Sequence, residues 1–174
     1  MDSEELLTPR LHLRRPVESD AAATIAIVGD FEVARRLGRV PHPYHQSHFD
    51  ELLAHIVPHE QTWAIVLRET NELVGMTRLI PQREHSSAEL GYYLGRPYWG
   101  RGLATEAGQA IVRFGFERMA CAMLTSRYHA DNPASGKVLT KLGFEPVGCS
   151  NHPCLAEGKD KPSIEMQLLF FRDF

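Results

Sequence analysis

The chain has 174 residues, 43% of them apolar and 24% charged, and a net charge of −3, which suits one globular domain and gives no reason to expect nucleic-acid binding. No run of about 18 apolar residues could span a membrane, and the N-terminus lacks the apolar stretch of a signal peptide. The three cysteines, Cys121, Cys149 and Cys154, have no Cys-x-x-Cys spacing, which argues against a disulfide framework and a zinc knuckle, so we expect a cytoplasmic protein.

Several segments alternate apolar and polar residues, the period of a half-buried β-strand. In chain order they are residues 11–15, 63–67, 73–80, 88–94, 123–128, 144–148 and 164–170. Residues 69–72 form the turn of a hairpin, and strands that follow one another without helices predict a mixed, partly antiparallel sheet. The polar, proline-containing residues 150–162 are expected to form a loop.

Four segments have helical signals, at residues 18–28, 47–57, 103–118 and 132–142. The third is the best amphipathic segment of the chain. Ser47 can cap the second helix, with Asp50 in a capping-box position. Asn132, followed by proline, can start the fourth. Residues 30–46 are expected to be irregular.

The glycine loop, residues 95–102, lies between the fourth predicted strand and the amphipathic helix. Its Gly100 and Gly102 flank Arg101 and allow the backbone to turn tightly and approach a ligand. The first N–H groups of a helix are unpaired and partially positive, so the arrangement predicts an anion site suited to a diphosphate, with Arg101 adding a charge-assisted contact. The local pattern alone is equally compatible with a tight turn that binds nothing.

Residues 98–107, YWGRGLATEA, resemble the acetyl-CoA loop of the GNAT N-acetyltransferase superfamily, and within it the branch of ribosomal-protein N-terminal acetyltransferases, the RimJ/RimL type. Residues 132–144, NPASGKVLTKLGF, are similar to the second signature of that branch. One departure is Pro97, where the superfamily often has Gln or Arg. The resemblance covers residues 8–172 and implies a single N-acetyltransferase domain: an α/β GNAT fold with a mixed, mostly antiparallel twisted sheet of six to seven strands and four flanking helices.

The resemblance also implies acetyl-CoA as the acetyl donor and direct transfer to an amine. The pantetheine arm would pair with the edge of the fourth strand at Tyr93 and Leu94, where a backbone N–H would polarise the thioester oxygen. Asn132 would hydrogen-bond the arm, and Lys137 would either meet a coenzyme phosphate or remain solvated. The diphosphate would be held by six residues of the loop and helix start: Gly100, Arg101, Gly102, Leu103, Ala104 and Thr105.

Two catalytic roles follow from the same resemblance. Glu89 would take a proton from the amine, directly or through water, although a Glu on a wet sheet face is the plain alternative. Many members use a Tyr to protonate the departing thiol, but that position is Leu139. Ser135 would then act as the acid or hold a water, unless it only solvates the first helical turn.

The histidine spacing invites a metal interpretation. His42, His45 and His48 lie three apart, and His55 and His59 lie four apart, but a proline interrupts each set and His-Glu-x-x-His is absent. We therefore predict no metal site and expect His45 and His48 on the acceptor side.

These observations together predict an acetyl-CoA-dependent N-acetyltransferase that acts on a primary amine. The acceptor is either a protein or peptide N-terminus or a small amine, such as an amino acid, a polyamine or an aminoglycoside. A non-catalytic acetyl-CoA-binding protein, suggested by Leu139, and a nucleotide-binding protein are the other classes. Neither a nucleic acid nor a membrane is expected as a partner, whereas a homodimer and the role of residues 149–162 stay open.

Overall fold

The computed structural model describes residues 4–82 and 86–170, and its eight strands form one open sheet. The strands are β1 Leu6–Leu7, β2 Leu11–Arg14, β3 Gln61–Leu67, β4 Leu73–Gln82, β5 Ser87–Leu94, β6 Met123–His129, β7 Glu145–Cys154 and β8 Lys159–Leu169. Their order across the sheet is β1-β2-β3-β4-β5-β6-β8-β7. Among the described strands only β5 and β6 run parallel as neighbours.

Five α-helices connect the strands. They are α1 Ala21–Gly29, α2 Phe31–Ala34, α3 Gln46–Glu51, α4 Leu103–Glu117 and α5 Pro133–Lys141. α4 forms as its sequence predicts, because its buried side chains recur three or four residues apart and line one face. No helix in the described part of the chain is long and apolar enough to cross a membrane.

The two faces of the sheet are covered by different helices. α4 and α5 pack on one face over a core that includes Leu124 and Trp63, and the rings of Trp63 and Phe114 meet edge to face with centroids 5.0 Å apart. α1 and α3 pack on the other face around Phe49 and Met76. Beyond β5 this second face carries charged side chains, which belong to the site described below.

The predicted fold class is confirmed, with eight strands and five helices instead of six to seven strands and four helices. The additional strand β1 has only two residues, and it exists because Leu6 pairs with Leu13 of β2. The additional helix α2 is a single turn that Asp30 caps by accepting from the Glu32 N–H at 2.9 Å. Elements this short do not complete a hydrophobic period, so the sequence pattern does not reveal them.

Residues 150–162, predicted as a loop, are mostly a hairpin. β7 continues to Cys154, and β8 begins at Lys159 and pairs back along it. The alternation is weak because most of β7 is exposed on both faces. The prolines are tolerated because β7 is an edge strand and Pro162 precedes the part of β8 that pairs with β6.

The second predicted helix begins earlier than expected, and its cap is different. α3 starts at Gln46 with His45 as N-cap, so Ser47 lies inside the helix. The Nδ1 atom of His48 accepts from the His45 N–H at 2.9 Å, which replaces the capping role predicted for Asp50. The segment then continues to Ile56 as a π-helical turn.

Candidate active site

The glycine loop joins the end of β5 to the start of α4. Gly100 and Gly102 have φ angles of 72° and 75°, the left-handed region that glycine adopts without steric cost. Gly102 is the N-cap of α4 and has no side chain with which to cap the helix. The N–H groups of the first turn have no partner inside a helix, so they offer donors and partial positive charge to an anion.

The structure brings together the six predicted residues of the loop and first helical turn: Gly100, Arg101, Gly102, Leu103, Ala104 and Thr105. Leu103 is buried and anchors the turn in the core, so that only its backbone faces the loop. Arg101 is exposed, and its guanidinium carbon lies 5.9 Å from the centre of the Tyr98 ring. The candidate site for an anion is therefore built mainly from backbone amides, with the exposed Arg101 guanidinium beside them.

A gap opens between β5 and β6 next to this loop. The two strands pair over three residues only and separate beyond Glu89 and Thr125. The Ser126 hydroxyl reaches across to the Leu90 carbonyl at 2.8 Å, at the point where the strands diverge. Beyond Glu89 no described strand pairs with this edge of β5, and its remaining backbone groups can form β-type hydrogen bonds with an extended chain.

Tyr93 and Leu94 differ in the direction of their backbone groups. The Gly95 N–H donates to the β4 backbone at 2.8 Å. Because the backbone groups of successive residues point to opposite sides of a strand, the N–H and carbonyl of Leu94 point away from β4. The Leu94 carbonyl accepts from the Trp99 indole at 2.8 Å. The Tyr93 carbonyl instead lies against Gly75 of β4. Burial raises the pKa of the Tyr93 phenol, whose ring packs under α1 and α3.

Ser135 lies in the first turn of α5, and its Oγ is 2.8 Å from the Tyr92 hydroxyl on β5. Burial raises the pKa of the Tyr92 phenol to about 12, although the hydrogen bond with Ser135 lowers it, so the phenol stays protonated at neutral pH. Asn132 occupies the N-cap position of α5, but its side chain makes no capping hydrogen bond. Two hydroxyl groups thus meet between β5 and the start of α5.

Lys137 and Leu139 occupy opposite environments on α5. Lys137 is exposed, whereas Leu139 is fully buried in the main core. The position at which the resemblance led us to look for a Tyr therefore packs against apolar side chains in this protein.

Glu89 lies on the second face of the sheet and is held by Arg127 of β6. Its Oε1 accepts from Nε at 2.9 Å and its Oε2 from Nη2 at 2.5 Å. The Glu89 side chain keeps 20% of its surface exposed. A carboxylate has about four lone-pair sites, so a bidentate arginine leaves capacity for a further proton or hydrogen bond.

The contact continues across the sheet as the charged row, defined as Glu89, Arg127, His152, Glu165 and Ser150. Arg127 Nη1 donates to His152 Nδ1 at 2.7 Å, and because an arginine can only donate, His152 Nε2 carries the proton and faces Glu165 Oε1 at 2.5 Å. Burial favours the neutral acid, but hydrogen bonds from Ser150 and His152 hold the pKa of Glu165 below its usual value. The row therefore links two carboxylates, Glu89 and Glu165, through Arg127 and a neutral His152.

Sequence analysis missed Arg127, His152 and Glu165 of this row, and also Tyr92. Each lies on a predicted strand or in residues 150–162, which were predicted as a loop. Alternation along a strand can indicate the face of the sheet on which a side chain lies, but not its neighbours on other strands. The row depends on β8 lying between β6 and β7, and the order of strands in the sheet is not written in the local pattern.

His45 and His48, predicted on the acceptor side, lie at the start of α3. Their rings stack with centroids 5.6 Å apart, so they contact each other. Within residues 4–82 and 86–170, no group of three or more metal-ligating side chains is close enough to hold an ion.

The comparisons with known proteins agree with this architecture. Residues 10–145 match the family model described as acetyltransferase (GNAT) domain. An uncharacterised N-acetyltransferase of Bacillus licheniformis, p20, is 30% identical over 151 residues, 83% of this chain and 84% of the relative. The [ribosomal protein uS5]-alanine N-acetyltransferase of Escherichia coli is 27% identical over 93 residues, 52% of this chain and 48% of the relative.

A solved structure of similar fold is the spermidine N-acetyltransferase of Vibrio cholerae in complex with CoA and spermine. It superposes with a TM-score of 0.79 at 18% sequence identity, and the match covers 93% of this chain and 96% of that one. At this identity the likeness concerns the fold alone.

Proposed function

Because the chain belongs to the GNAT acetyltransferase family, we propose that it transfers an acetyl group from acetyl-CoA directly to a primary amine at the end of a protein or peptide. The observation that carries the proposal is the uncapped start of α4 beside the gap between β5 and β6. We take residues 1–174 as one domain that acts in the cytoplasm, where acetyl-CoA is available.

The coenzyme would lie along the glycine loop and the gap. Amides from Gly100 to Thr105 would hold the diphosphate, and the pantetheine arm would pair with the free edge of β5. Strand alternation favours Leu94 over Tyr93 for this pairing, because the Tyr93 carbonyl faces β4. Asn132, whose side chain makes no capping bond, is available to the arm, whereas Lys137 is exposed and could reach only an outer phosphate.

The chemistry needs one proton acceptor and one proton donor. The amine nitrogen attacks the thioester carbon, an N–C bond forms, and the C–S bond breaks with its electron pair on sulfur. Glu89, or a water that it orients, takes the amine proton. Ser135, or a water that it holds beside Tyr92, gives a proton to the thiolate.

The charges around Glu89 favour a singly charged acceptor. Three carboxylates on this face are already engaged: Glu89 and Glu60 pair with Arg127 and Arg78, and Glu165 accepts from His152. A polyamine carries several positive charges and would need unpaired carboxylates, whereas a peptide N-terminus presents one amine. The relative from Escherichia coli, named for the alanine of a ribosomal protein, supports the same choice.

A thermal-shift titration with acetyl-CoA, CoA and ATP tests the coenzyme site. A ligand that binds only the folded state stabilises it by mass action and so raises the melting temperature. At a ligand concentration a hundred times the Kd, the free energy of unfolding rises by about 2.7 kcal/mol. We expect a rise with acetyl-CoA and CoA but not with ATP. No rise with millimolar coenzyme would reject the site, and a rise with ATP that acetyl-CoA cannot displace would favour a nucleotide-binding protein.

Acceptor choice is tested with the same protein and acetyl-CoA. Release of free thiol is measured with peptides that begin with Ala or Ser, with N-terminally blocked copies as controls, and with spermine. We expect turnover with free peptides only. Turnover with spermine alone would replace the peptide proposal with a polyamine one.

A further inference from the structure

The segment between β1 and β2 is tied to the start of α4 by one carboxylate. Glu106 Oε1 accepts from the Thr8 hydroxyl at 2.6 Å and from the Arg10 backbone N–H at 2.8 Å, and its Oε2 accepts from Arg10 Nε at 2.6 Å. We call Thr8, Arg10 and Glu106 the brace. The Glu106 side chain is 13% exposed and that of Arg10 is 51% exposed, so the Thr8 bond is partly buried and the two Arg10 bonds lie at the surface.

The brace reaches into the glycine loop through Arg10. Its Nη1 donates to the Arg101 carbonyl at 2.9 Å, and its Nη2 lies 3.5 Å from the point where a Cβ on Gly102 would stand. The carbonyl of Arg101 and the N–H of Gly102 belong to one planar trans peptide, so they point in opposite directions. Holding the carbonyl toward Arg10 therefore turns the Gly102 N–H away from the brace.

An external tie can select the orientation of this peptide, which is set by ψ of Arg101 and φ of Gly102. Gly102 can adopt either hand of backbone conformation, so the peptide has more than one accessible orientation. Arg10 bonds the carbonyl in one of these orientations only. The carboxylate that holds Arg10 stays charged, because hydrogen bonds from Thr8 and Arg10 lower the pKa of Glu106 against the opposing effect of burial.

We propose that the brace positions the glycine loop for the coenzyme diphosphate, by selecting the peptide orientation in which the Gly102 N–H faces the anion. Arg10 is then a positioning residue, which acts through the Arg101 carbonyl rather than on the coenzyme itself. The inference rests on the proposed function, since it requires that the loop bind the diphosphate of acetyl-CoA.

The test is the affinity for two probes, measured by titration calorimetry. CoA contains the diphosphate and the pantetheine arm, whereas adenosine 3′-phosphate 5′-diphosphate carries the diphosphate without the arm. Losing one hydrogen bond from a backbone amide to a charged group corresponds to a loss of affinity of about tenfold or more. We expect Arg10→Ala to weaken both probes by a similar factor and Arg10→Lys, which can still reach the carbonyl, to recover part of the loss.

Arg118→Ala is the matched control. Arg118 joins the other end of α4 to the N-terminal segment through Glu4 at 3.2 Å, so its loss removes a similar ion pair away from the loop. We expect this variant to bind both probes as the original protein does. If Arg10→Ala does not fold, Thr8→Val removes one bond of the brace with little change of shape and is expected to weaken both probes less.

The outcomes separate the inference from the proposed function. If the unmodified protein binds neither probe, the coenzyme proposal itself fails. If it binds both and Arg10→Ala binds them as tightly as Arg118→Ala does, the brace has no positioning role. A loss for CoA without a loss for the nucleotide would also overturn the inference, because the defect would then lie at the arm.

Discussion

One half of the candidate site is built from backbone groups, and the other half is built from side chains. The proposed coenzyme half consists of backbone amides in a continuous piece of chain, from Gly100 to Thr105, and one loop sets its geometry. The proposed acceptor half is the charged row, made of side chains from four strands that are distant in sequence. A backbone site tolerates many side-chain changes, whereas a site of paired side chains depends on every partner.

Substitutions in the two halves should therefore affect different properties of the protein. A change in the loop or the brace should alter coenzyme affinity and leave the acceptor half intact. A change in the charged row should alter turnover while coenzyme binding persists, because the row contains none of the loop's amides. Each prediction below tests whether the two halves separate in this way.

The largest expected effect is on turnover, in Glu89→Gln. Removing a general base costs about 10²–10⁴-fold in rate, so acetyl transfer to an accepted peptide should fall by about a hundredfold or more, with CoA affinity within twofold of the original. Thiol release and calorimetry measure the two quantities. A change in affinity as large as the change in rate would mean that the two halves are not separate.

The chain offers a matched control in Glu60→Gln. Glu60 and Glu89 are both 20% exposed, and their arginines, Arg78 and Arg127, are both 33% exposed. Loss of an ion pair as such would affect the two variants alike. Unchanged turnover in Glu89→Gln, or an equal loss in Glu60→Gln, would remove Glu89 from the mechanism.

A smaller effect is expected where the halves meet, at Ser135 and Tyr92. Ser135→Ala removes the hydroxyl beside the gap and should lower turnover by no more than about 10²-fold, because a water can still give a proton to the thiolate. Tyr92→Phe leaves Ser135 in place without its 2.8 Å partner and should lower turnover less. Thr140→Val, which removes a hydroxyl bonded to the Gly136 carbonyl on the same helix, serves as control and should not change turnover. Undiminished turnover in Ser135→Ala would remove Ser135 from the mechanism.

Prediction from the sequence succeeded where the structure is set by residues that are close together in the chain. The glycine loop and α4 adjoin each other in sequence, so glycine spacing and helical period located this loop and helix, and the strand pattern predicted the fold class. It failed where the geometry is set by pairing between distant strands. Glu89 was found from its strand, but its partner Arg127 depends on β6 lying beside β5, and His152 fell inside residues 150–162, predicted as a loop.

The brace shows the same limit within the local half. Thr8 and Arg10 lie about ninety residues before the loop, and no pattern of spacing connects them to Glu106, although Glu106 is part of the recognised motif. A side chain that selects a backbone orientation leaves no trace in the periodicity of either segment. Such a contact becomes visible only when the first strands are placed against α4.

The smallest expected effect concerns stability, at the one carboxylate on which the backbone-built half depends. The pKa of Glu106 is lower in the folded protein than its usual value of 4.5. Its contribution to stability is therefore fully present above that value and is lost as the pH falls through the folded pKa. We expect Glu106→Gln to cost about 1 kcal/mol in the free energy of unfolding at pH 7, with a difference that shrinks below pH 4.5. Denaturant unfolding of both proteins across that range measures it. A difference that stays constant with pH would mean that the carboxylate's charge does not hold the brace, and that its shape alone does.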